Sequence, residues 1–455
     1  MNYLGLLRQF FRLRANAKKT RAQITALQDL RLRTLLAYAW DHSDWHRARF
    51  EQAGIARGQL SSLPLAAFPT MSKRDLLTHF DEIVTVPGLR QDDLRRFDEN
   101  DPLGERSLAG GYHVVHSSGS TGTPGYFVYD NAAWEQMLLG IIRGALWNMG
   151  AGDILRLLLG GPRILYLAAT GGRYGGAMAV GDGAAGLRAA QLHLDVNTPL
   201  AEWDRRIQAF RPNIIIGYPS AVKILGEQLT RGASEYEIRR VICCGEPLAP
   251  GLRLYLENAF GCDVVNFYGA SESLALGVDT GNADGMVLFD DMNVIEIENG
   301  EMYLTSLYNY AQPLIRYRVS DRLTLREPAP DDPYPFTRAD LVLGRCEDLL
   351  WFDDGAGGRE FLHPLSVEGF CIEGLRDYQF RQTGAGSFEL LAEAAEGCRT
   401  AVGNELRKQM ARILREKCLA HVAFEIRFVD RILPDPRTGK KKLILTGPAE
   451  KEKSA

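Results

Sequence analysis

No stretch of this sequence stays apolar for the ~20 residues that a membrane-spanning helix requires, so a transmembrane segment has no candidate. The opening stretch MNYLGLLRQFFRLRANAKKTRAQ is broken by Arg8, Arg12 and Arg14 before an apolar leader core can form, and no secretory leader is expected. That same basic, aromatic-bearing stretch reads either as a membrane-surface helix or as a solvated amphipathic helix. Its pattern runs on through Leu27, Leu30, Leu32 and Leu35, which favours the second. Cysteine is sparse: seven residues, an odd number with no C-x-x-C pair, which argues against a disulfide framework and against structural zinc. The compartment is expected to be reducing and cytoplasmic. An excess of positive charge is also missing, since 53 Lys+Arg against 57 Asp+Glu leave a net charge of −4, and no basic stripe is interleaved with aromatics. No nucleic-acid partner is expected.

Glycine, in contrast, is plentiful: 46 of 455 residues, about a tenth of the chain, pointing to many turns or substrate-facing loops. The length is ample for two or more domains, and disorder or low complexity does not describe it, apart from the lysine-rich tail after Gly447. Leu and aromatic residues at three- and four-residue spacing, with no Gly or Pro between Ala15 and Glu51, predict helix over the first 50 or so residues. Further on, the apolar runs RILYLAA, NIIIGY, RRVICC and DVVNFYG alternate with helical patterns at 199–211 and 219–230. That alternation predicts an α/β body with mostly parallel sheets. Near residue 345 the pattern changes to a hairpin (YQFRQT and SFELLAEA around GAG), a helix across 399–418 and an alternating strand from Val422 to Phe428. The expected organisation is a large body over 1–347 and a small, mobile α+β domain over 348–455.

The chemistry concentrates first in HSSGSTGTPGYFVYD, residues 116–130, where hydroxyl residues and glycines crowd together. Backbone N–H groups and hydroxyls in such a loop suit a polyphosphate, and glycine permits close approach. It is not a Walker A loop, because no Lys-Ser/Thr follows, and it lacks the dinucleotide fingerprint G-x-G-x-x-G. Alone, it could equally be a polar surface loop.

Four further motifs follow in order: FYGASES (267–273), YRVSDR (317–322), GRCEDLL (344–350) and RTGKKKLIL (437–445). With SSGSTGTP they resemble the ordered motif set of the adenylate-forming superfamily, which contains acyl-CoA synthetases, peptide-synthetase adenylation domains and luciferases. LRTLLAYAWDHSDWHRARFEQAGI, AFRPNIIIGYPSAVKILGEQL and CCGEP look most like its phenylacetate-CoA ligase branch. The resemblance covers nearly the whole chain.

It implies ATP and Mg²⁺ as cofactors, coenzyme A as co-substrate, and a carboxylic acid, of which an aromatic one is an option, as the group activated. Ser117, Ser118, Gly119, Ser120, Thr121 and Gly122 would wrap the phosphates, with Thr123 standing where many relatives have Lys. Tyr268 would stack on adenine beside Gly269, Ser271 would touch the α-phosphate, and Glu272 would be both catalytic and the Mg²⁺ ligand. Asp321 and Arg345 would hold the ribose, with Ser320 where relatives have Gly; a positive φ there would strain it. Gly245 and Glu246 would border the nucleotide, and Tyr218, Gly245 and Ala270 would line the acyl pocket. The glycines at 171, 172, 175 and 176 would either open space for a bulky acyl group or form a flexible loop. Lys440, the first lysine after Gly439, would bridge acyl carboxylate and α-phosphate, and Asp348 would be the hinge of a domain rotation. His113, His116 and His193 read as structural or edge-of-site residues rather than metal ligands.

The resemblance thus implies a ligase forming acyl-AMP and then an acyl-CoA thioester. The alternative acceptors are an amine, giving an amide or amino-acid conjugate, or a carrier-protein thiol. A non-catalytic relative is disfavoured by the joint presence of Glu272, Asp321 and Lys440, and a P-loop kinase by the missing Walker lysine. A homodimer is compatible with all of these readings.

Overall fold

The first 50 or so residues do fold as helices, α1 (Tyr3–Ala15), α2 (Arg21–His42) and α3 (Asp44–Gln52). Thr20 starts α2 with a reciprocal capping box: its side chain accepts from Gln23 N–H and Gln23 accepts from Thr20 N–H. This computed structural model describes residues 3–100, 107–108, 110–117, 125–170, 175–186, 189–231, 237–281, 285–329, 331–341, 349–354, 357–362, 367, 370, 372–432 and 443–445. The opening helices are tied to the body by a fully buried ion pair, Arg143 donating to both oxygens of Asp291 at 2.7 and 2.9 Å, with Asn16 donating to the same carboxylate at 2.7 Å. Three short helices follow, α4 (Lys73–Thr78), α5 (Phe80–Ile83) and α6 (Gln91–Asn100).

The body is then built in α/β units. A hairpin of β1 (His113–His116) and β2 (Tyr126–Tyr129) leads into α7 (Asn131–Ala145) and α8 (Ala151–Leu159). Next come β3 (Arg163–Ala168), α9 (Gly175–Gly186), β4 (Ala190–Asp195), α10 (Leu200–Phe210), β5 (Ile214–Gly217), α11 (Pro219–Arg231), β6 (Arg240–Cys244), α12 (Pro250–Phe260) and β7 (Val264–Ala270). The chain then turns antiparallel through β8 (Ser273–Asp279), β9 (Met286–Leu288), β10 (Asn293–Glu298), β11 (Glu301–Ser306), β12 (Tyr317–Val319), β13 (Leu323–Arg326) and β14 (Arg338–Leu341).

These strands form a nine-stranded sheet in the order β13-β14-β9-β8-β7-β6-β5-β3-β4, parallel from β7 to β4 and antiparallel on the other side of β7. The parallel half comes from the apolar runs read in the sequence, buried on both faces by helices. The reversal at β7 rests on the short turn 271–272, which leaves no room for a crossover helix. Strands β10, β11 and β12 make a separate antiparallel sheet.

The C-terminal unit contains β15 (Leu350–Asp353), β16 (Arg359–Leu362), β17 (Leu375–Gly384), β18 (Ser387–Ala394), α13 (Arg399–Glu416), β19 (Ala423–Phe428) and β20 (Ile444–Leu445). Its own core gathers Phe380, Phe388, Leu390, Leu406 and Met410. One buried charge joins it to the body. Lys417 meets Glu360 at 2.8 Å and donates to Val196 O at 2.8 Å, while the second oxygen of Glu360 accepts from Leu200 N–H at 2.7 Å. Removing either partner strands the other charge, a loss of roughly 3–5 kcal/mol.

Candidate active site

The phosphate-loop motif sits at the tip of the β1–β2 hairpin. Ser117 and Gly125 clamp its feet, with Ser117 N–H on Gly125 O and Gly125 N–H on the Ser117 hydroxyl, both at 2.9 Å. Ser118, Gly119, Ser120, Thr121, Gly122 and Thr123 lie outside the described residues. The hairpin's outer edge is satisfied by buried amides in place of a strand. Gln312 accepts from Val128 N–H at 2.8 Å and donates to Tyr126 O at 3.2 Å, and Asn309 donates to Val128 O at 2.9 Å. Matching an edge in this way holds β2 in place without offering the edge to another chain.

The turn between β7 and β8 faces those feet. Tyr129 donates its hydroxyl to Ser271 O at 2.9 Å, and Ser271 donates to His116 O at 3.3 Å. Gly269 has no room for a side chain, since a Cβ there would lie 2.3 Å from Leu274 O. Tyr268, just before it, donates to Asp321 at 2.8 Å, so the residues expected at adenine and ribose are joined. Ser320 does not adopt a positive φ, and its departure from glycine carries no strain.

Glu272 is half-buried at the end of this turn. Burial pushes its carboxyl up to about 7, with the negative charge of Asp321 adding to the effect and Lys73 opposing it. Lys73 is itself held below its ordinary pKa by burial, and Glu272 is the charge that counters this. Sequence reading missed Lys73. It opens α4 behind the Ser72 cap, and nothing in TMSKRD marks it. What brings it to the site is a backbone bridge, Met71 N–H on Arg316 O at 3.0 Å and Arg318 N–H on Met71 O at 2.8 Å. Lys73 is thus a cation brought to Glu272 from another element.

Of the residues expected to line the acyl pocket, Gly245 has φ +78°, and a Cβ there would sit 2.7 Å from the ring of buried Tyr218. Ala270 ends β7. Glu246 is turned to α11, accepting from Ser220 N–H at 3.0 Å and its hydroxyl at 2.9 Å, so it serves as a helix cap. Gly175 and Gly176 neither open space nor form a loop: they begin α9 and let it press on Leu274 and on the Tyr166 hydroxyl. Gly171, Gly172, Arg345, Asp348 and Lys440 lie outside the described residues. His113 stacks on Trp134 at 4.5 Å and His193 meets Gln191 at 3.0 Å. Among the described residues no three His, Cys, Asp or Glu side chains cluster as a metal site.

No family model matches the sequence. Curated relatives do. The chain is 27% identical over 356 residues to the phenylacetate-coenzyme A ligase of Aromatoleum evansii, covering 73% of each protein, and 28% identical over 343 residues to that of Pseudomonas putida, covering 70% of each. A solved 2-hydroxyisobutyryl-CoA ligase, in complex with its acyl-AMP and CoA, superposes with a TM-score of 0.61 at 20% identity, over 96% of this chain and 92% of that one. The chain shares the fold of that CoA ligase and is similar in sequence to phenylacetate-coenzyme A ligases. Its own residues fit the small molecules this implies. The half-buried carboxylate of Glu272 suits Mg²⁺, which takes one or two protein oxygens and draws its remaining ligands from phosphate and water. The Tyr268–Asp321 pair presents a ring and an oxygen acceptor side by side, as a nucleoside requires.

Proposed function

We propose that the chain activates a carboxylic acid with ATP and Mg²⁺ to an acyl-adenylate and then transfers the acyl group to coenzyme A. The observation that carries this reading is the gathering of Glu272, Lys73 and the bonded Tyr268–Asp321 pair at the β7–β8 turn, whose Ser271 bonds to His116 O next to the loop foot at Ser117.

In the first half-reaction a substrate carboxylate oxygen attacks the α-phosphorus and pyrophosphate departs. Asp321 accepts from the ribose, and Tyr268 flanks the adenine. The loop from Ser117 to Gly122 directs N–H and hydroxyl donors at the phosphates, with Lys73 adding a cation on the same side. Glu272 releases its proton and holds Mg²⁺, which when bound offsets the charge on the phosphate oxygens. Lys440 bridges the carboxylate and the α-phosphate, and Arg345 supports the ribose. In the second half-reaction the thiol sulfur of coenzyme A attacks the acyl carbon and AMP leaves. The residues 348–455 act as a domain that turns about Asp348, withdrawing Lys440 from 1–347 and admitting the thiol. Tyr218, Gly245 and Ala270 shape the acyl pocket, and an aromatic acid is the first to try. The enzyme works in the cytoplasm, and a homodimer is compatible with this scheme.

Pyrophosphate release over a panel of carboxylic acids tests the proposal, run with coenzyme A, with amino acids and other amines, and with neither. Acid-dependent release together with a thioester product is expected. An amide product and indifference to coenzyme A would move the acceptor to an amine; no release with any acid would remove the activity.

A further inference from the structure

Helix α10 begins without a cap of its own. Its N-cap position holds Pro199, which makes no side-chain cap bond, and the N–H of Leu200, the first helical residue, has no partner inside the helix. The acceptor comes from the C-terminal unit. Glu360 of β16 takes the Leu200 N–H on one carboxylate oxygen at 2.7 Å, and the helix dipole favours a negative charge at that end. The turn before α10 is gripped from the same side. Lys417, at the C-terminal end of α13, donates to Val196 O at 2.8 Å and to Thr198 O at 3.3 Å, and its ammonium meets the other Glu360 oxygen at 2.8 Å. All three of its donors are thereby used.

The pair is buried, Lys417 completely and Glu360 to 4% exposure, and the hairpin that carries Glu360 is two-faced. Leu350, Phe352 and Leu362 belong to the core of the C-terminal unit, whereas Phe361 joins the core of the body, edge-on to Trp203 with ring centroids 5.9 Å apart and 4.3 Å from Lys417 Nζ. Both charges sit on the C-terminal unit, so the bonds divide unequally. The Lys417–Glu360 contact, and the Phe361 N–H on Glu360 at 3.0 Å, travel with that unit. The bonds to Val196, Thr198 and Leu200 cross to the body. Parting the two therefore strands no lone charge: the pair leaves whole and regains water, while the turn 196–200 loses its partners.

We propose that Glu360 and Lys417 form a releasable clasp on the turn before α10, which holds the C-terminal unit in this arrangement and opens when that unit turns. The clasp rests on the two-step reaction with a turning domain proposed for this chain. It adds that the pair sets the balance between the half-reactions, favouring the one that uses this arrangement and slowing the other. Both are positioning residues.

The test compares full-length wild type with Lys417→Met/Glu360→Met, which removes both charges together and leaves no lone one buried. Hydrogen exchange across 200–203 is read first, without nucleotide. The Leu200 amide is expected to exchange at least about tenfold faster in the variant, the margin of a hydrogen bond to a charged group, while β6 in the body keeps its protection. Pyrophosphate release from acid and ATP, and thioester formation from supplied acyl-AMP and coenzyme A, should then move in opposite directions; a merely structural pair would lower both. Unchanged exchange at Leu200, or half-reactions that move together, would overturn the clasp. Should the variant not fold, wild type decides: Leu200 should exchange at different rates with a non-hydrolysable acyl-adenylate analogue alone and with the analogue plus coenzyme A, and equal rates would overturn it. If no acid releases pyrophosphate from wild type, the ligase reading fails on its own, and exchange at Leu200 in the variant then judges the clasp by itself.

Discussion

The residues proposed for the nucleotide side and those proposed for the acyl side are placed by opposite means. On the nucleotide side each group is held by a hydrogen bond to another element: Ser117 to Gly125, Tyr129 to Ser271, Ser271 to His116, Tyr268 to Asp321. On the acyl side position comes from the lack of side chains, with Gly245 pressed on Tyr218 and Gly176 on Tyr166. A hydrogen-bonded site accepts few residue types at each position, whereas a packed one can be reshaped methyl by methyl. The first region should therefore govern whether adenylation occurs, and the second which acid enters.

The sharpest separation comes from Glu272→Gln. Adenylation at limiting Mg²⁺ should fall by a factor on the order of 10²–10³ while the fold is kept. Steady-state kinetics of pyrophosphate release measure this, and near-normal turnover at limiting Mg²⁺ would take Glu272 out of the site.

Titration gives the next effect. The carboxyl of Glu272 is raised from 4.5 to about 7, so in the metal-free protein its proton is lost only as pH rises through 7. Mg²⁺ must displace that proton below 7, and the Mg²⁺ concentration for half-maximal activity should rise by about tenfold per pH unit. The native chain keeps a proton that the unfolded chain releases above about 4.5, so this group lowers metal-free stability as pH rises from 4.5 to 7. Thermal melts of wild type and Glu272→Gln across that range should differ in slope with this sign. Parallel profiles would show that the carboxyl is not shifted.

Gly245→Ala probes the other side. Its φ of +78° and the Tyr218 ring 2.7 Å from a Cβ both oppose the methyl. A loss of about 1–3 kcal/mol is expected, together with a raised KM for the acid and an unchanged KM for ATP. A change confined to ATP would invert the comparison. The smallest effect belongs to Tyr268→Phe, which deletes the 2.8 Å bond to Asp321. About 0.5–1.5 kcal/mol, or a several-fold rise in KM for ATP alone, is expected, and a shift in acid preference would show that Tyr268 also shapes the acyl pocket.

The same contrast explains what the sequence disclosed. The parallel strands from β3 to β7 were legible because apolar runs alternate with helical patterns, and FYGASES was legible only through its resemblance, with four other motifs in order, to the adenylate-forming set. Lys73 was not, since a backbone bridge from Met71 to Arg316 and Arg318 places it, and no local pattern encodes such a bridge. Glu246 read as a nucleotide neighbour because it follows Gly245, yet its side chain caps α11, a partnership set by the tertiary fold. Gly175 and Gly176 illustrate the acyl side: a glycine pair does not announce whether it opens space or allows close packing, and only the neighbouring Tyr166 and Leu274 decide.

The central claim is attack of a carboxylate on the α-phosphorus of ATP, and oxygen tracing tests it most directly. The acid that gives the greatest pyrophosphate release is labelled with ¹⁸O in both carboxyl oxygens and turned over with ATP and coenzyme A, and the products are weighed by mass spectrometry. One ¹⁸O in AMP and one in the thioester is the predicted result, because the bridging oxygen of the adenylate leaves with AMP. Unlabelled AMP, or label in inorganic phosphate with ADP as co-product, would contradict it.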